Sequence, residues 1–500
     1  MTDCGIAVIV AKDGSNVAPL LYKMGIKLQH RGELSTGMVL YNQEEKEKLH
    51  VHKGAGLVSV VFQDVLSGLK GTRGAIHVRY ATSGACGKNL NDLIYQQKVE
   101  EEAQPFYRRH GNRRKRFAIV WNGNLTNTES LKSYLEQEKQ YDLATDTDTE
   151  ILLHTIAIAS HQKELLDVFK QTTSRIQGAY CIAYLNGLGE VVALRDTLGF
   201  RPLCYGETDK LFAVASETLA LQSIGISDFS FVKPGQMLTY TDRAIQYQLP
   251  SAGNAECVFE RVYFSHVASW MEEGSIYETR RKLGRHMALL EPLHNRNDLI
   301  VIPIPDTAKT AAKAYADELG WEFVQEGIIK SIGRGFIEPP RTRSQKMDIK
   351  YDLVTAALTG RNIVLIDDSI VRGDTLSRLL WKLYHVGVKE AHVRSTFPPV
   401  KHPCFYGIDF PTSGELIANQ LQHTTQEELE KKMAEKLYND VKYQAKKDID
   451  FTITVKYLTI EALLSAIGLP ENHTCRACLD GKYPLSVEHP NFRKHDKEDN

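Results

Sequence analysis

The chain has 500 residues, of which 42% are hydrophobic and 25% are charged, and its formal net charge is −1. This length exceeds what one hydrophobic core supports, so two or three domains are predicted. The near-neutral charge excludes a whole-protein attraction to nucleic acid, and no run approaches the ~18 apolar residues of a membrane span. No signal peptide is visible, so we expect a cytoplasmic protein whose eight cysteines are free, catalytic or metal-bound.

Residues 4–250 form the predicted first domain. Short β-type runs such as GIAVIV, RFAIVWNGNL and AYCIAYL are separated by Gly and Asn turns, and residues 149–159 give the one long helical pattern. This combination predicts an α+β fold with stacked sheets. Within this domain the polar and basic stretch 88–116 is interpreted as a solvated loop, since isolated charge runs are usually exposed.

A cysteine near the amino end precedes the first apolar strand. In isolation Cys4 would be interpreted as a small buried residue. If the three residues before it were removed, it would carry a free α-amine with an unperturbed pKa of about 7.7–8.0, which can act as a base near neutrality. Its thiol could then attack an amide carbon.

Residues 257–420 form the predicted second domain, after a linker at 250–256. The runs LIVIPIP and NIVLIDD are each followed by a helical pattern, which predicts an α/β domain with a parallel sheet. The segment 421–488 opens with a highly charged helix that we expect to be exposed, and it carries the sequence CRAC. The polar tail 489–500 is expected to be disordered.

The turn after NIVLIDD combines acids with a phosphate-type loop. Asp367 and Asp368 close the strand, and the backbone N–H groups of 369–375 can hold a phosphate at the start of the next helix. The two carboxylates can accept hydrogen bonds from ribose hydroxyls and stabilise positive charge at the anomeric carbon. A ligand with a terminal phosphate and a central ribose suits both halves.

This turn, DDSIVRGDT, resembles the phosphoribosyl pyrophosphate (PRPP) motif of type I phosphoribosyltransferases, in the version found in glutamine amidophosphoribosyltransferases. First-domain motifs resemble the glutaminase domain of the same family, in the family's order. These motifs are QHRG (29–32), HVRYATSG (77–84), WNGNLTN (121–127), TDTDTE (145–150), RDTLGFRPL (195–203) and SETLAL (216–221). The resemblance covers nearly the whole chain.

The resemblance implies an N-terminal nucleophile hydrolase fold, with αββα layers, for residues 4–250. By this resemblance Cys4 is the nucleophile, and Asn122 with the backbone N–H of Gly123 forms the oxyanion hole. The glutamine-binding residues implied are Arg79 for the carboxylate, Asp148 for the ammonium, and Arg31 and Thr82 as supports. The chain departs from the family pattern at Glu33–Leu34 and at Trp121.

The resemblance also implies a complete PRPP site in the second domain. The PRPP-binding residues implied are Asp306, Thr307, Arg334, Asp367, Asp368, Ser369, Arg372, Gly373, Asp374 and Thr375. Asp367 and Asp368 are the candidate Mg²⁺ residues, because a pyrophosphate leaving group needs its charge neutralised. Departures from the family pattern are Asp374, Ala308, Gly335 and the stretch FSHVAS at 264–269.

Four cysteines in three segments match the iron–sulfur branch of this family: Cys257, Cys404, Cys475 and Cys478. By ligand type alone, four thiolates hold zinc or a [4Fe–4S] cluster equally well. The resemblance implies the cluster.

The implied reaction uses glutamine and PRPP to make 5-phosphoribosylamine, glutamate and pyrophosphate, at the start of purine nucleotide synthesis. The resemblance further implies a homotetramer with purine nucleotides as feedback inhibitors. The alternatives are a divergent paralogue that uses another phosphosugar and a regulator that senses PRPP without chemistry. A complete glutaminase argues against the regulator, which would not need one.

Overall fold

The structure is a computed structural model that describes residues 4–80, 93–145, 147–331, 351–410, 412–422 and 424–488. Thr82 and Arg334, both implied as site residues, lie outside the described residues. So do the three residues before Cys4, Gly335 and the tail 489–500.

The first half of the chain carries strands β1 to β13 and helices α1 to α7. The strands are Gly5–Ala11, Ser35–Tyr41, Leu49–Ala55, Arg73–Arg79, Phe106–Arg108, Phe117–Leu125, Gly178–Asn186, Val191–Arg195, Cys204–Glu207, Leu211–Ala215, Phe229–Phe231, Gln236–Tyr240 and Ala244–Gln248. The helices are Ala18–Leu28, Val58–Val61, Leu93–Glu101, Thr128–Ser133, Asp148–Ala159, Leu165–Thr173 and Thr218–Gln222.

Strands β14 to β24 and helices α8 to α15 follow. The strands are Glu256–Cys257, Trp270–Met271, Gly274–Ser275, Leu299–Pro303, Glu322–Phe323, Ile328–Lys330, Tyr351–Leu353, Asn362–Asp367, Glu390–Ser395, Thr452–Tyr457 and Thr474–Cys475. The helices are Ile276–Leu289, Lys309–Leu319, Thr355–Leu358, Asp374–His385, Ile417–Gln420, Gln426–Ala445, Ile460–Ile467 and Ala477–Asp480. Short 3₁₀ turns span Gln29–Arg31, Leu66–Gly68 and Glu471–His473, and π turns span Tyr134–Glu138 and Glu260–Phe264.

Two antiparallel sheets stack in the first domain. One has the order β11-β9-β10-β1-β4-β2-β3, and the other has the order β13-β12-β8-β7-β6-β5. Alternate side chains of β1 and β7, including Val8 and Ala183, meet in a core between the sheets. Helices α1 and α7 cover the outer face of the first sheet, and α5 and α6 cover that of the second. The predicted αββα layering is therefore confirmed.

A parallel sheet forms the second domain, in the order β18-β17-β21-β22-β23. Its central strands β17 and β21 are buried on both faces, because helices pack on each side. This confirms the predicted α/β fold.

Two details differ from the sequence analysis. The parallel sheet continues past residue 420, where we placed the end of the domain, because β23 pairs with β22 after the intervening helix α13. That helix is also not simply exposed. Met433, Leu437 and Val441, spaced four residues apart, are fully buried against the sheet. Across the described ranges, no helix is long and apolar enough to cross a membrane.

Candidate functional site

Cys4 lies at the start of β1, where that strand meets β4. Gly5 pairs with Val78, so Cys4 adjoins the end of β4 that carries Arg79. The Cys4 side chain is half-buried, and its backbone carbonyl accepts a hydrogen bond from Arg31 Nε at 3.2 Å. The structure thus places the predicted nucleophile beside two of the predicted glutamine-site arginines.

Asn122 and Gly123 lie on β6, in the second sheet. A Cβ atom at Gly123 would stand 2.3 Å from the carbonyl oxygen of Ala179, so only glycine fits there. The imidazole of His77, on β4, bridges the two sheets, since its Nε2 lies 3.2 Å from the carbonyl oxygen of Trp121. Burial lowers the pKa of His77 to about 3, so the neutral ring donates this hydrogen bond. This bridge ties the predicted oxyanion strand to the strand beside Cys4.

Arg79 and Asp148 supply opposite charges to this site. Arg79 is only 8% exposed, and its Nη2 donates to Glu102 Oε2 at 2.6 Å. Asp148 begins α5, and its Oδ2 accepts from the backbone N–H of Leu125 at 2.9 Å. Burial raises the pKa of Asp148 to about 6, so the carboxylate is ionised at neutral pH. A cation and an anion suit the two charged groups of an amino acid.

Arg31 contributes to a buried ion network between the two domains. Its side chain is ion-paired with Glu217 of the first domain and, at 2.6 Å, with Glu260 of the second. Burial alone would raise the pKa of Glu217, but His30 and Arg31 hold it well below its ordinary value. Arg201 approaches Glu260 at 3.6 Å. Arg31 therefore reaches the site through the Cys4 carbonyl, while its charge faces these carboxylates.

The stretch FSHVAS, residues 264–269, which departs from the family pattern, contacts this same ion network. The backbone N–H of His266 and the hydroxyl of Ser269 donate to Glu217 at 2.9 and 2.6 Å. The ring of His266 meets the ring of His30 edge-on, with centroids 5.3 Å apart. The sequence analysis did not single out Glu217 or Glu260, although Glu217 lies within SETLAL.

The second candidate site occupies one edge of the parallel sheet. Strands β17 and β21 are parallel neighbours with Pro303 opposite Ile366, so the turns after them meet at the same edge. Asp306 and Thr307 follow β17, and Asp367 ends β21. Asp306 is exposed and contacts Lys309 Nζ at 2.7 Å. The structure brings together the acids predicted for PRPP at the place where ligands bind open α/β sheets.

The loop after Asp368 ends at a left-handed glycine. Gly373 has φ +82° and caps α11, and a Cβ there would lie 2.4 Å from Ile417 Cδ1. Ser369 donates from its hydroxyl to Asp368 at 2.9 Å, and Arg372 lies 3.5 Å from Glu415. Asp374 is the first residue of α11, with Thr375 next, and a carboxylate at a helix N-terminus interacts favourably with the helix dipole. An aspartate at position 374, where the chain departs from the family pattern, is therefore compatible with the start of α11.

All four predicted cluster cysteines line one apolar cavity. It is bounded by Phe200, Arg201, Cys257, Phe259, Cys404, Tyr406, Ile408, Phe410, Cys475, Ala477 and Cys478. Short strands β14 and β24 pair in parallel and place Cys257 opposite Cys475. Burial raises the pKa of both thiols, that of Cys257 to about 12. In the described part of the chain, no three Cys, His, Asp or Glu side chains already stand in a metal-binding arrangement.

Comparisons with known proteins cover both domains. A family model described as a glutamine amidotransferase domain matches residues 91–223. The chain is 34% identical to the amidophosphoribosyltransferase of Bacillus subtilis, over 99% of this chain and 97% of the relative. It is 32% identical to that of Archaeoglobus fulgidus, over 97% and 98%. A solved structure of glutamine PRPP amidotransferase from B. subtilis, complexed with ADP and GMP, superposes with a TM-score of 0.80 at 32% identity, covering 97% of this chain and 98% of that one.

Proposed function

The chain belongs to the amidophosphoribosyltransferase family and is a glutamine-dependent pentosyltransferase, and we propose the following division of roles among its residues. The first domain hydrolyses glutamine, and the second transfers the ammonia to PRPP, which gives 5-phosphoribosylamine, glutamate and pyrophosphate. One observation carries this proposal: a single chain holds both a half-buried cysteine beside a buried arginine, Arg79, and a sheet edge with adjacent acids and a glycine-capped helix.

In the first domain, loss of residues 1–3 would free the α-amine of Cys4. The amine takes the thiol proton, and the sulfur attacks the side-chain amide carbon of glutamine. Asn122 and the Gly123 N–H stabilise the oxyanion while Arg79 and Asp148 hold the substrate's carboxylate and ammonium. Ammonia leaves with the transferred proton, and water then hydrolyses the thioester to glutamate.

In the second domain, the 369–375 loop holds the 5′-phosphate, and Asp367 and Asp368 hold the ribose. Asp306 and Thr307 bind the pyrophosphate, and Arg334, outside the described residues, is a further PRPP-binding residue by the family resemblance. Asp367 and Asp368 are also the residues that would hold Mg²⁺, since two adjacent carboxylates at one strand end suit a hard cation. When bound, Mg²⁺ would neutralise charge on the leaving pyrophosphate.

The four-cysteine cavity supports a [4Fe–4S] cluster with a structural role. The cavity is apolar, enclosed by Phe259, Phe410 and Tyr406, and lined by all four thiols. The backbone N–H of Tyr406 points at Cys404 Sγ at 3.4 Å, and such hydrogen bonds are typical around cluster sulfurs. Its ligands come from segments far apart in sequence, so a cluster would close long loops. Purine nucleotides as inhibitors and a homotetramer complete the proposal, and the relative solved with ADP and GMP supports the former.

Two measurements test the catalytic proposal. Purified protein supplied with glutamine, PRPP and Mg²⁺ should release pyrophosphate and glutamate together, and omission of any one should stop pyrophosphate release. The intact mass of the active protein should show loss of the three residues before Cys4. Active protein that retains Thr2 and Asp3 would contradict the role of the free α-amine.

The cluster is tested separately. Protein purified without oxygen should be brown and hold about four irons per chain. Air should bleach it and expose the segment after residue 474 to protease. Colourless, active protein with stoichiometric zinc would overturn the cluster and leave the two catalytic assignments intact.

A further inference from the structure

The two terminal nitrogens of the Arg79 guanidinium differ in their hydrogen bonding. Its Nη2 donates to Glu102 Oε2 at 2.6 Å, whereas its buried Nη1 has no hydrogen-bond partner among the residues that the structure describes. A buried N–H that loses its hydrogen bond to water and gains no other is costly, so native proteins rarely keep one without a ligand to receive it. The Nη1 group therefore indicates a binding position for an external acceptor.

Hydrogen bonds anchor the backbone on both sides of Glu102, next to Arg79. Lys53 Nζ donates to the carbonyl oxygens on either side of it, that of Glu101 at 3.1 Å and that of Ala103. The next polar residue, Gln104, accepts a hydrogen bond from the backbone N–H of Trp121 at 2.7 Å. The backbone around Glu102 is thus anchored both to β3 and to the strand of the predicted oxyanion hole.

The neighbouring strand is shaped to receive this segment. A Cβ atom at Gly37 would stand 2.3 Å from the Gln104 carbonyl oxygen, so the segment can only lie this close to β2 because that position is glycine. Burial, and then the nearby Arg79, lower the pKa of Lys53 to about 8. Two cationic side chains therefore share a poorly solvated region, in which the Glu102 carboxylate offsets the charge of Arg79 and that of Glu101 acts on Lys53.

We propose that Glu102 is a positioning residue for glutamine: it orients the Arg79 guanidinium so that Nη1 faces the substrate's α-carboxylate. This inference rests on the proposed glutaminase function. A carboxylate that mimicked the substrate would be expected to engage both Nη atoms, since guanidinium–carboxylate pairs are commonly bidentate. Glu102 engages one and leaves the other for a ligand.

The test compares Glu102→Ala with Glu102→Gln and a matched control. Glu101→Ala removes an adjacent, exposed carboxylate that accepts a hydrogen bond from Gln97 and does not pair with Arg79 in the described part of the chain. We expect Glu102→Ala to raise the KM for glutamine by about tenfold, the effect of one lost hydrogen bond, with kcat changed much less. Glu102→Gln keeps an acceptor for Nη2 and should restore KM to near the wild-type value, and the control should match the wild type.

A second readout isolates carboxylate recognition from the nucleophile. Alkylation of Cys4 is followed by intact mass with a diazoketone analogue of glutamine, which carries the α-carboxylate, and with iodoacetamide, which lacks it. Glu102→Ala should slow only the first reaction, again by about tenfold. If Glu102→Ala does not fold, Glu102→Asp, which withdraws the carboxylate by one methylene, should show the same selective slowing.

An unchanged or lower KM in Glu102→Ala would overturn the proposal, and a lower one would show that Glu102 blocks the carboxylate position. Equal slowing with both alkylating agents would also overturn it, because a general distortion would then explain the effect. Failure of the proposed function is distinguishable: wild-type Cys4 would then not react with the glutamine analogue at all.

Discussion

In the first domain Arg31 already has a buried ionic partner, whereas Asp306, at the sheet edge of the second domain, faces solvent. Arg31 and Glu260 are 1% and 2% exposed and lie 2.6 Å apart. The side chains of Asp306 and Lys309 are 58% and 40% exposed. Exposed pairs contribute about 0–1 kcal/mol and exchange partners easily. The buried pair is therefore fixed before any ligand binds, whereas the exposed Asp306–Lys309 pair can exchange partners when a charged ligand binds.

The largest effects should come from removing each site's reacting groups. Cys4→Ala should reduce glutamine-dependent transfer at least about 10³-fold while ammonia at high pH still supports transfer. Asp367→Asn with Asp368→Asn should abolish transfer and leave some glutamine hydrolysis. Separate assays of glutamate and pyrophosphate check this. Folded variants that each lose both activities would show that the two sites are not separable.

Removal of one partner should lower the free energy of unfolding far more for the buried Arg31–Glu260 pair than for the exposed Asp306–Lys309 pair. Glu260→Ala leaves Arg31 without one of its two carboxylates, and loss of one partner from a buried pair typically costs about 3–5 kcal/mol. Lys309→Ala, the matched control, should change stability by less than about 1 kcal/mol. Urea unfolding followed by tryptophan fluorescence measures both. Equal effects would remove the contrast between the two regions.

Backbone geometry at the phosphate loop gives an intermediate effect. Gly373→Ala adds a Cβ 2.4 Å from Ile417 in a left-handed conformation, so we expect a loss of about 1–3 kcal/mol in PRPP binding, with glutamine hydrolysis retained. Gly360→Ala has similar φ but open space around its Cβ, so it should leave PRPP affinity unchanged. Calorimetric titration with PRPP and Mg²⁺ makes the comparison. A loss of affinity in Gly360→Ala would show that the loop contact is not responsible.

The smallest effect is a pH dependence of glutamine binding. Burial raises the pKa of Asp148 to about 6, so the KM for glutamine should rise about fivefold between pH 6 and pH 5 as the carboxylate is neutralised. Because the folded pKa exceeds the unfolded one, ionisation of Asp148 should lower stability as pH rises through about 6. In Asp148→Asn both trends should be absent. An unshifted KM profile in the wild type would place the substrate ammonium elsewhere.

Features set by local sequence were predictable. Residues 149–159 read as a helix, and α5 spans Asp148–Ala159, because Thr147 caps it with a hydrogen bond to the Glu150 N–H. The acids at the end of NIVLIDD lie where expected, since a buried strand, a turn and a helix follow one another without interruption from Asn362 to His385. The two fold classes followed from the same local patterns.

Features that depend on distant contacts were not predictable. The many charged residues of α13 obscured its apolar residues at four-residue spacing. The sequence therefore did not predict that one face of this helix is buried. Glu260 meets Arg31 across 229 residues, and Glu102 meets Arg79 across 23, in a stretch interpreted as a solvated loop. In each case the acid has no local signature. Only the packing of the sheets brings it to its arginine.

The pairing of strand Glu256–Cys257 with strand Thr474–Cys475 affects the order in which parts of the molecule can fold during synthesis. Every strand of the two antiparallel sheets and of the parallel sheet precedes residue 474. A ribosome has therefore synthesised all of these strands before the segment that closes the four-cysteine cavity emerges. Glu488, beyond the cavity, then docks on the start of α4 in the first domain, where the Ser130 N–H donates to it at 3.1 Å. Closure of the cavity therefore follows synthesis of every strand of the two domains. A chain released early by a nonsense codon would keep these sheets yet carry an open apolar cleft that quality-control proteases can recognise.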